Sequence, residues 1–166
     1  MATMAAITDD LAVAWQLQES DFAWLAEQGF RTVINNRPDN EPGGAYISAV
    51  ESERLASAHG LTYAHLPVTH ANLADPDLAD AFRALIDELP KPILAYCRTG
   101  TRCTLLWSLA AVSDNGIDDV VQKAGAAGYD ISVLIPDLEQ RLRERRNGGA
   151  SAALGEVGSG PYVAAR

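Results

Sequence analysis

The chain alternates between two kinds of apolar pattern, which together predict an alternation of strands and helices. Short, continuous apolar runs rich in β-branched residues are typical of buried strands. Longer segments with apolar positions three and four residues apart are typical of helices that pack on one face. The predicted strands are 11–15, 31–35, 61–67 and 92–96, and the predicted helices are 20–29, 48–60, 75–89, 103–115, 117–127 and 131–146.

Capping residues support several of the predicted helix starts. Ser48 begins a capping-box pattern, and Asp75 is followed by Pro76, which suits the first helical position. The first helix is predicted to be capped by Ser20 or Asp21. Strands that alternate with helices imply crossover connections, so we expect an α/β fold with a central, mostly parallel sheet flanked by helices.

Length and composition indicate one globular domain. The chain has 166 residues, of which 48% are apolar. A chain of this size buries roughly 70% of the surface that its unfolded form exposes, which is enough for a core without metal or disulfide support. We place the domain at residues 1–146. Residues 147–166 are rich in Gly, Ala and Ser without periodicity, so we expect this tail to be mostly disordered.

Charge and cysteine content exclude several classes of function. The chain has 13 basic and 22 acidic residues and a formal net charge of −9, which disfavours nucleic-acid and anionic-membrane binding because both depend on clustered Lys and Arg. No basic residue precedes Arg31, so we expect no secretory signal or transit peptide. The longest apolar stretch, 103–112, is shorter than the ~18 residues of a membrane span, so we expect no transmembrane helix. With two cysteines and three scattered histidines, we expect no disulfide, metal or cofactor, and a cytoplasmic location.

The segment 91–112 carries the candidate chemistry. A buried strand ends at Cys97, four residues follow, and Arg102 then precedes an apolar helix. Ligands of parallel sheets bind at the carboxyl ends of strands, where the next helix points its free N–H groups and its positive dipole end. Gly100 allows the loop to curl with its amides inward, and a guanidinium is able to hold two oxygens of an oxyanion. The sequence therefore predicts an anion cradle made of Arg98, Thr99, Gly100, Thr101 and Arg102.

The same electrostatic field acts on the sulfur of Cys97. A free cysteine has a pKa near ~8.5, and a helix N-terminus with neighbouring cations lowers it to ~3.5–7.5. Such a shift would hold a thiolate nucleophile beneath a bound anion. A buried cysteine at the end of a strand is also an ordinary core residue, so the catalytic interpretation depends on the strand, glycine-bearing loop, arginine and helix together.

Four sequence segments together resemble one family. They are TVINNRPDNE at 32–41, LPV at 66–68, YCRTGTR at 96–102 and AGYD at 127–130. The combination is similar to the phosphatase-like domain of the beta-lactamase hydrolase-like proteins, bacterial relatives of the dual-specificity phosphatases. The resemblance covers about residues 7–145 and implies the cysteine-phosphatase fold, with a four- or five-stranded, mostly parallel sheet. It also implies Cys97 as the nucleophile, Arg102 as the phosphate-binding arginine and the loop amides of 98–102 as the rest of the cradle.

The implied reaction is hydrolysis of a phosphorylated small molecule or protein, and the loop length leaves an alternative open. Cysteine phosphatases generally have five residues between the cysteine and the arginine, whereas this loop has four, as in rhodanese-type sulfurtransferases. The NNRPD segment and the helix order favour a phosphatase. Sulfur transfer through a Cys97 persulfide stays an alternative, and so does a non-catalytic module that binds oxyanions or phosphopeptides. The resemblance also leaves open a separate partner with the beta-lactamase fold.

A phosphatase usually needs a general acid to protonate the leaving oxygen. Asp39 is our preferred acid, because it lies in the loop after an inner strand whose carboxyl end should face the same cleft as Cys97. Asp75 and Asp77 fit helix capping better, and His70 is a further candidate. In the same loop as Asp39, Arg37 is predicted either to add a cation to the anion site or to brace the turn.

The second cysteine, Cys103, stands where the family carries Ser or Thr. A hydroxyl there donates a hydrogen bond to the thiolate, and a thiol is a weaker donor. Cys103 is therefore either a substitute of the same size or a resolving thiol that captures oxidised Cys97 in a reversible disulfide.

Overall fold

A single sheet organises the molecule, and the structure, a computed structural model, describes residues 1–148 and 164–165. In that part of the chain six strands lie in the order β1-β2-β5-β3-β4-β6. Their bounds are β1 Met4–Ala6, β2 Leu11–Ala14, β3 Thr32–Asn35, β4 Thr62–His65, β5 Ile93–Tyr96 and β6 Ala164–Ala165.

The four inner strands, β2, β5, β3 and β4, are mutually parallel, and each edge strand is antiparallel to its neighbour. Their registers bring the strand ends to one level: Tyr96 lies between Ala14 and Asn35, and Asn35 pairs with His65. The loops that follow these four strands therefore emerge along one edge of the sheet. This arrangement confirms the predicted fold class.

Helices cover both faces of the sheet. The helical elements are α1 Glu19–Glu27, α2 Ala49–Ala58, α3 Pro76–Glu88, α4 Thr101–Asn115, α5 Ile117–Ala126 and α6 Ile135–Gly148, with a short 3-10 turn at Ser132–Leu134 before α6.

Alternating side chains of each strand point into two separate cores, as the strand geometry requires. On β3, Ile34 belongs to the core beneath α3, α4, α5 and α6, whereas Val33 belongs to the core beneath α1 and α2. On β5, Ala95 belongs to the first of these cores and Leu94 to the second. The predicted central strand is thus buried on both faces, and it carries the chain directly to Cys97.

The predicted caps of α2 and α3 are confirmed, and that of α1 is wrong. The hydroxyl of Ser48 accepts a hydrogen bond from the backbone N–H of Glu51 at 3.2 Å. Asp75 Oδ1 accepts a hydrogen bond from the backbone N–H of Asp77 at 3.0 Å. Helix α1 instead begins at Glu19 after Gln18. Asp21 lies within the first turn and caps the helix from there, because its Oδ2 accepts a hydrogen bond from the backbone N–H of Gln18 at 2.7 Å.

Other boundaries also differ from the prediction. Helix α4 begins at Thr101 rather than at residue 103, so Arg102 belongs to its first turn. The last predicted helix starts with the 3-10 turn, and the three-residue edge strand β1 was not predicted. Of the predicted disordered tail, 147–148 continue α6, Ala164–Ala165 pair with β4, and the remainder lies outside the described residues. The domain boundary at 146 stays a prediction.

No helix in the described ranges has the length and apolar character needed to cross a bilayer.

Candidate active site

The loop between β5 and α4 curls around one sulfur atom. Cys97, which follows β5, is buried, and its Sγ accepts the backbone N–H of Gly100 at 3.2 Å. Gly100 has a φ of +81° and is the residue that caps α4. The left-handed conformation turns the chain from the strand into the helix, so the sulfur lies at the positive end of α4.

Gly100 is required for a second reason, which is its contact with Tyr129. The Tyr129 hydroxyl donates to the carbonyl of Thr99 at 2.9 Å. A Cβ added to Gly100 would collide with that hydroxyl. The AGYD segment, 30 positions away in the sequence, therefore helps to hold the cysteine loop in place through Tyr129.

The environment of Cys97 strongly favours its thiolate. A hydrogen bond from the Cys103 side chain is the largest of the causes that lower the pKa of Cys97 to about 5. It outweighs burial, which opposes ionisation, and backbone amides and the positive charge of Arg102 add to it. At neutral pH the sulfur is therefore mostly in its thiolate form.

Cys103 is the neutral member of this thiol pair. It is fully buried in the first turn of α4, and burial raises its pKa well above the usual value, with the hydrogen bond to Cys97 adding to the effect. Cys103 therefore stays protonated beside the Cys97 thiolate. The two cysteines are neighbours in the structure, and both interpretations of Cys103, a substitute for Ser or Thr and a resolving thiol, stay predictions.

Arg102 is held by a residue that the sequence analysis missed. Its Nη1 donates to Glu41 Oε1 at 2.6 Å and to the Val68 carbonyl at 2.8 Å, and its Nη2 donates to Glu41 Oε2 at 3.1 Å. A guanidinium has five N–H donors, so the Nε hydrogen and one Nη2 hydrogen stay available to an oxyanion. Glu41 is the last residue of the TVINNRPDNE segment, which is the signal that could have identified it.

Arg37 braces its own loop. Its Nη1 donates to Gln16 Oε1 at 3.1 Å, and its guanidinium carbon lies 3.4 Å from the centre of the Tyr46 ring. The Tyr46 hydroxyl donates to the carbonyl of Pro38 and accepts the amide of Glu41, each at 2.7 Å. The loop that presents Glu41 to Arg102 is therefore fixed by an aromatic side chain beneath a buried cation.

Asp39 lies at the start of α2. Its Oδ1 accepts the amide of Ala49 at 2.9 Å, a contact that the helix dipole favours. The recess that Asp39 lines is shared with Tyr46 and Ser48 and includes none of the cysteine-loop residues. Asp39 is also absent from the residues that line the larger cavity over the cysteine loop, and its role as the acid stays a prediction.

A cavity of about 540 Å³ opens over the loop. It is lined by four of the predicted cradle residues, by two residues of the loop after β3 and by two residues that follow β4. The lining residues are Glu41, Pro42, Thr69, His70, Arg98, Thr99, Thr101 and Arg102. His70, the alternative acid, thus faces the same space as Arg102.

Comparison with known proteins places this geometry in a family. Residues 3–114 match the family model described as the phosphatase-like domain of the beta-lactamase hydrolase-like protein. The chain belongs to this family. The beta-lactamase hydrolase-like protein of Agrobacterium fabrum is 31% identical over 137 residues, which cover 81% of this chain and 31% of that protein. The phosphatase-like domain therefore spans about a third of the length of this curated relative.

Solved structures give the same assignment for the fold. A crystal structure from Neisseria meningitidis, described as that of a phosphatase candidate, has a TM-score of 0.74 at 31% identity and covers 82% of this chain and 96% of that chain. Tk-PTP has a TM-score of 0.64 at 15% identity over 87% of this chain and 97% of that chain, a likeness that shows the fold alone. The resemblance deduced from the four sequence segments is confirmed, and so is the cysteine-phosphatase fold.

Proposed function

We propose that this phosphatase-like domain hydrolyses a phosphomonoester with Cys97 as the nucleophile and a thiophosphate enzyme intermediate. The observation that carries the proposal is the environment of the sulfur. Cys97 has a pKa of about 5 and accepts a hydrogen bond from the amide of Gly100 at the start of α4, and Arg102 lies in the first turn of the same helix. A thiolate next to inward amides and a guanidinium suits attack on a bound phosphate.

In the proposed reaction the Cys97 thiolate attacks phosphorus and a P–S bond forms as the P–O bond to the leaving group breaks. The available N–H groups of Arg102 and the loop amides of 98–102 hold the non-bridging oxygens in the transition state. The leaving oxygen takes a proton from a general acid, for which Asp39 stays our proposal and His70 the alternative. Water then breaks the P–S bond, which releases phosphate and restores the thiolate.

The four-residue spacer favours a second candidate, sulfur transfer. In that reaction the Cys97 thiolate attacks the outer sulfur of thiosulfate, sulfite leaves, and the resulting persulfide passes its sulfur to an acceptor thiol. The smaller loop suits a smaller anion. The family match supports the phosphatase over this alternative.

The test is phosphate release from an aryl phosphate under reducing conditions between pH 5 and 8. We expect turnover by the wild type, none by Cys97→Ser, and turnover retained by the matched variant Cys103→Ser. Loss of the basic limb of the pH profile in Asp39→Asn would assign the acid to Asp39, and the same loss in His70→Gln would assign it to His70. Absence of turnover in the wild type, with thiocyanate formed from thiosulfate and cyanide, would instead establish sulfur transfer.

The wider setting of the domain is also a proposal. We propose a cytoplasmic location and a phosphorylated small molecule or protein as substrate. Because the matched relative is much longer than this chain, a separate partner of the beta-lactamase fold is a further proposal. Co-purification of the two proteins from their native cells would test it.

A further inference from the structure

A second cavity lies beside the one over the cysteine loop. Its volume is about 380 Å³, and its walls come from the loop after β2, the loop after β3 and the start of α2. The residue that it shares with the first cavity is Arg98, which lines both. The two spaces therefore meet at a cationic side chain next to the proposed nucleophile.

The Arg98 guanidinium is free to bind an anion. It has no hydrogen bond or ion pair with any other residue of the described ranges, and its side chain is exposed. It lies over the backbone of Gly43, because a Cβ added there would be 3.3 Å from both Cζ and Nη2 of Arg98. A side chain at residue 43 would therefore require the Arg98 guanidinium to shift by a few tenths of an ångström.

Arg37 supplies a second cation to the same cavity. It is only 4% exposed and lines the cavity, yet its Nε is buried without a hydrogen-bond partner among the described residues. The carboxylate nearest to that Nε, Glu41, is 3.9 Å away and is engaged by Arg102. Buried polar groups are normally satisfied, so Arg37 has hydrogen-bonding capacity that the described residues do not use.

The charge balance of the second cavity is positive, although the chain as a whole carries a net charge of −9. Arg37 and Arg98 face it, and the one acidic residue among its lining residues is Glu51. That carboxylate is already paired with Arg54, Oε1 to Nη2 at 2.6 Å. The cavity therefore favours an anion of more than one charge, and phosphate suits the planar donors of arginine.

We propose that this second cavity is a subsite for a second phosphate group, so that the preferred substrate is a small molecule that carries two phosphates. The phosphate to be cleaved lies over Cys97, and the other is held between Arg98 and Arg37. The inference rests on the proposed phosphatase activity and adds to it the class of substrate.

The test compares substrates that differ only in the second phosphate. Phosphate release is measured for the bisphosphates of ethanediol through hexanediol and for the monophosphate of each diol, and kcat/KM is compared within each pair. We expect at least one chain length at which the bisphosphate is favoured by about fivefold to tenfold, the effect expected of one or two charge-assisted contacts near the surface.

Ala45 provides a matched pair of variants, because it lines the second cavity and not the first. Ala45→Glu adds a carboxylate to the subsite, and Ala45→Gln adds a neutral side chain of the same size. We expect Ala45→Glu to abolish the preference for the bisphosphate and Ala45→Gln to retain it. Arg98→Gln should also abolish it.

The possible results separate the two proposals. Equal efficiency on both members of every pair would overturn the second subsite and leave the phosphatase intact, as would a preference that Ala45→Glu and Arg98→Gln do not change. No phosphate release from any member would overturn the proposed phosphatase and the subsite with it. A preference lost in Ala45→Glu and retained in Ala45→Gln would establish the subsite.

Discussion

Replacing Cys103 by alanine tests what makes Cys97 a thiolate. The hydrogen bond from the Cys103 side chain is the largest cause of the low pKa of Cys97, which is about 5. The variant Cys103→Ala removes this donor, and the Gly100 amide and Arg102 stay in place. Cys103→Ser is the matched control, because a hydroxyl of similar size is a better hydrogen-bond donor than a thiol.

The expected magnitude follows from the strength of one hydrogen bond. A hydrogen bond of this kind contributes about 1 to 1.5 kcal/mol, and 1.36 kcal/mol changes a pKa by about one. The pKa of Cys97 should therefore rise from about 5 to about 6 in Cys103→Ala. At pH 5 the thiolate fraction would fall from about one half to about one tenth, whereas at pH 8 both proteins would be almost fully ionised.

The assay is the pH dependence of alkylation by iodoacetamide, followed by the mass of the peptide that contains Cys97. The midpoint in Cys103→Ala should lie about one pH unit above that of the wild type, and Cys103→Ser should not exceed the wild type. The acid limb of kcat/KM should move in parallel. A midpoint unchanged in Cys103→Ala, in a protein whose circular dichroism is native, would refute the dependence of the thiolate on this hydrogen bond.

Three further predictions concern the rest of the domain. Glu41→Gln removes a negative charge from the anion site but keeps an acceptor, so the inhibition constant for phosphate should fall by about fivefold; a rise would contradict this. Gly100→Ala should lose activity in steady-state assays, whereas Gly60→Ala, also at positive φ but with nothing near its Cβ, should keep it. Phe82→Ala should lower the free energy of unfolding in urea by about 3 to 5 kcal/mol, because the ring is fully buried. The exposed Val133→Ala should change it by less than about 0.5 kcal/mol.

Much of the fold was predictable because each inner strand and long helix carries its own signal. The run that ends at Tyr96 is apolar on both faces, and the structure buries it between two cores. The start of α1 was mispredicted because Asp21 caps the helix from within its first turn, and an acidic side chain there looks like an N-cap residue in the sequence. Strand β1 is short and lies at the edge of the sheet, so it has almost no hydrophobic pattern to detect.

The candidate site also has a part that a local sequence pattern predicts and a part that depends on contacts between distant residues. The residues from Cys97 to Arg102 form one contiguous segment, and the anion cradle was predicted from that segment alone. The contact between Glu41 and Arg102 joins residues 61 positions apart, and the hydrogen bond from Tyr129 to Thr99 joins residues 30 positions apart. Such pairs depend on how the loops meet at the edge of the sheet, which no local pattern specifies.

The Glu41 contact also changes how the cradle attracts an anion. With Cys97 ionised, Arg102 faces two negative charges, the thiolate and the Glu41 carboxylate, so these three groups together carry a net charge of −1. In the proposed reaction a dianionic phosphate is therefore attracted by the loop amides, by the positive end of α4 and by Arg98, which has no ion pair among the described residues. In the proposed reaction Arg102 acts on the transition state, in which charge develops on the phosphoryl oxygens, and a group that acts there raises the rate more than it tightens substrate binding.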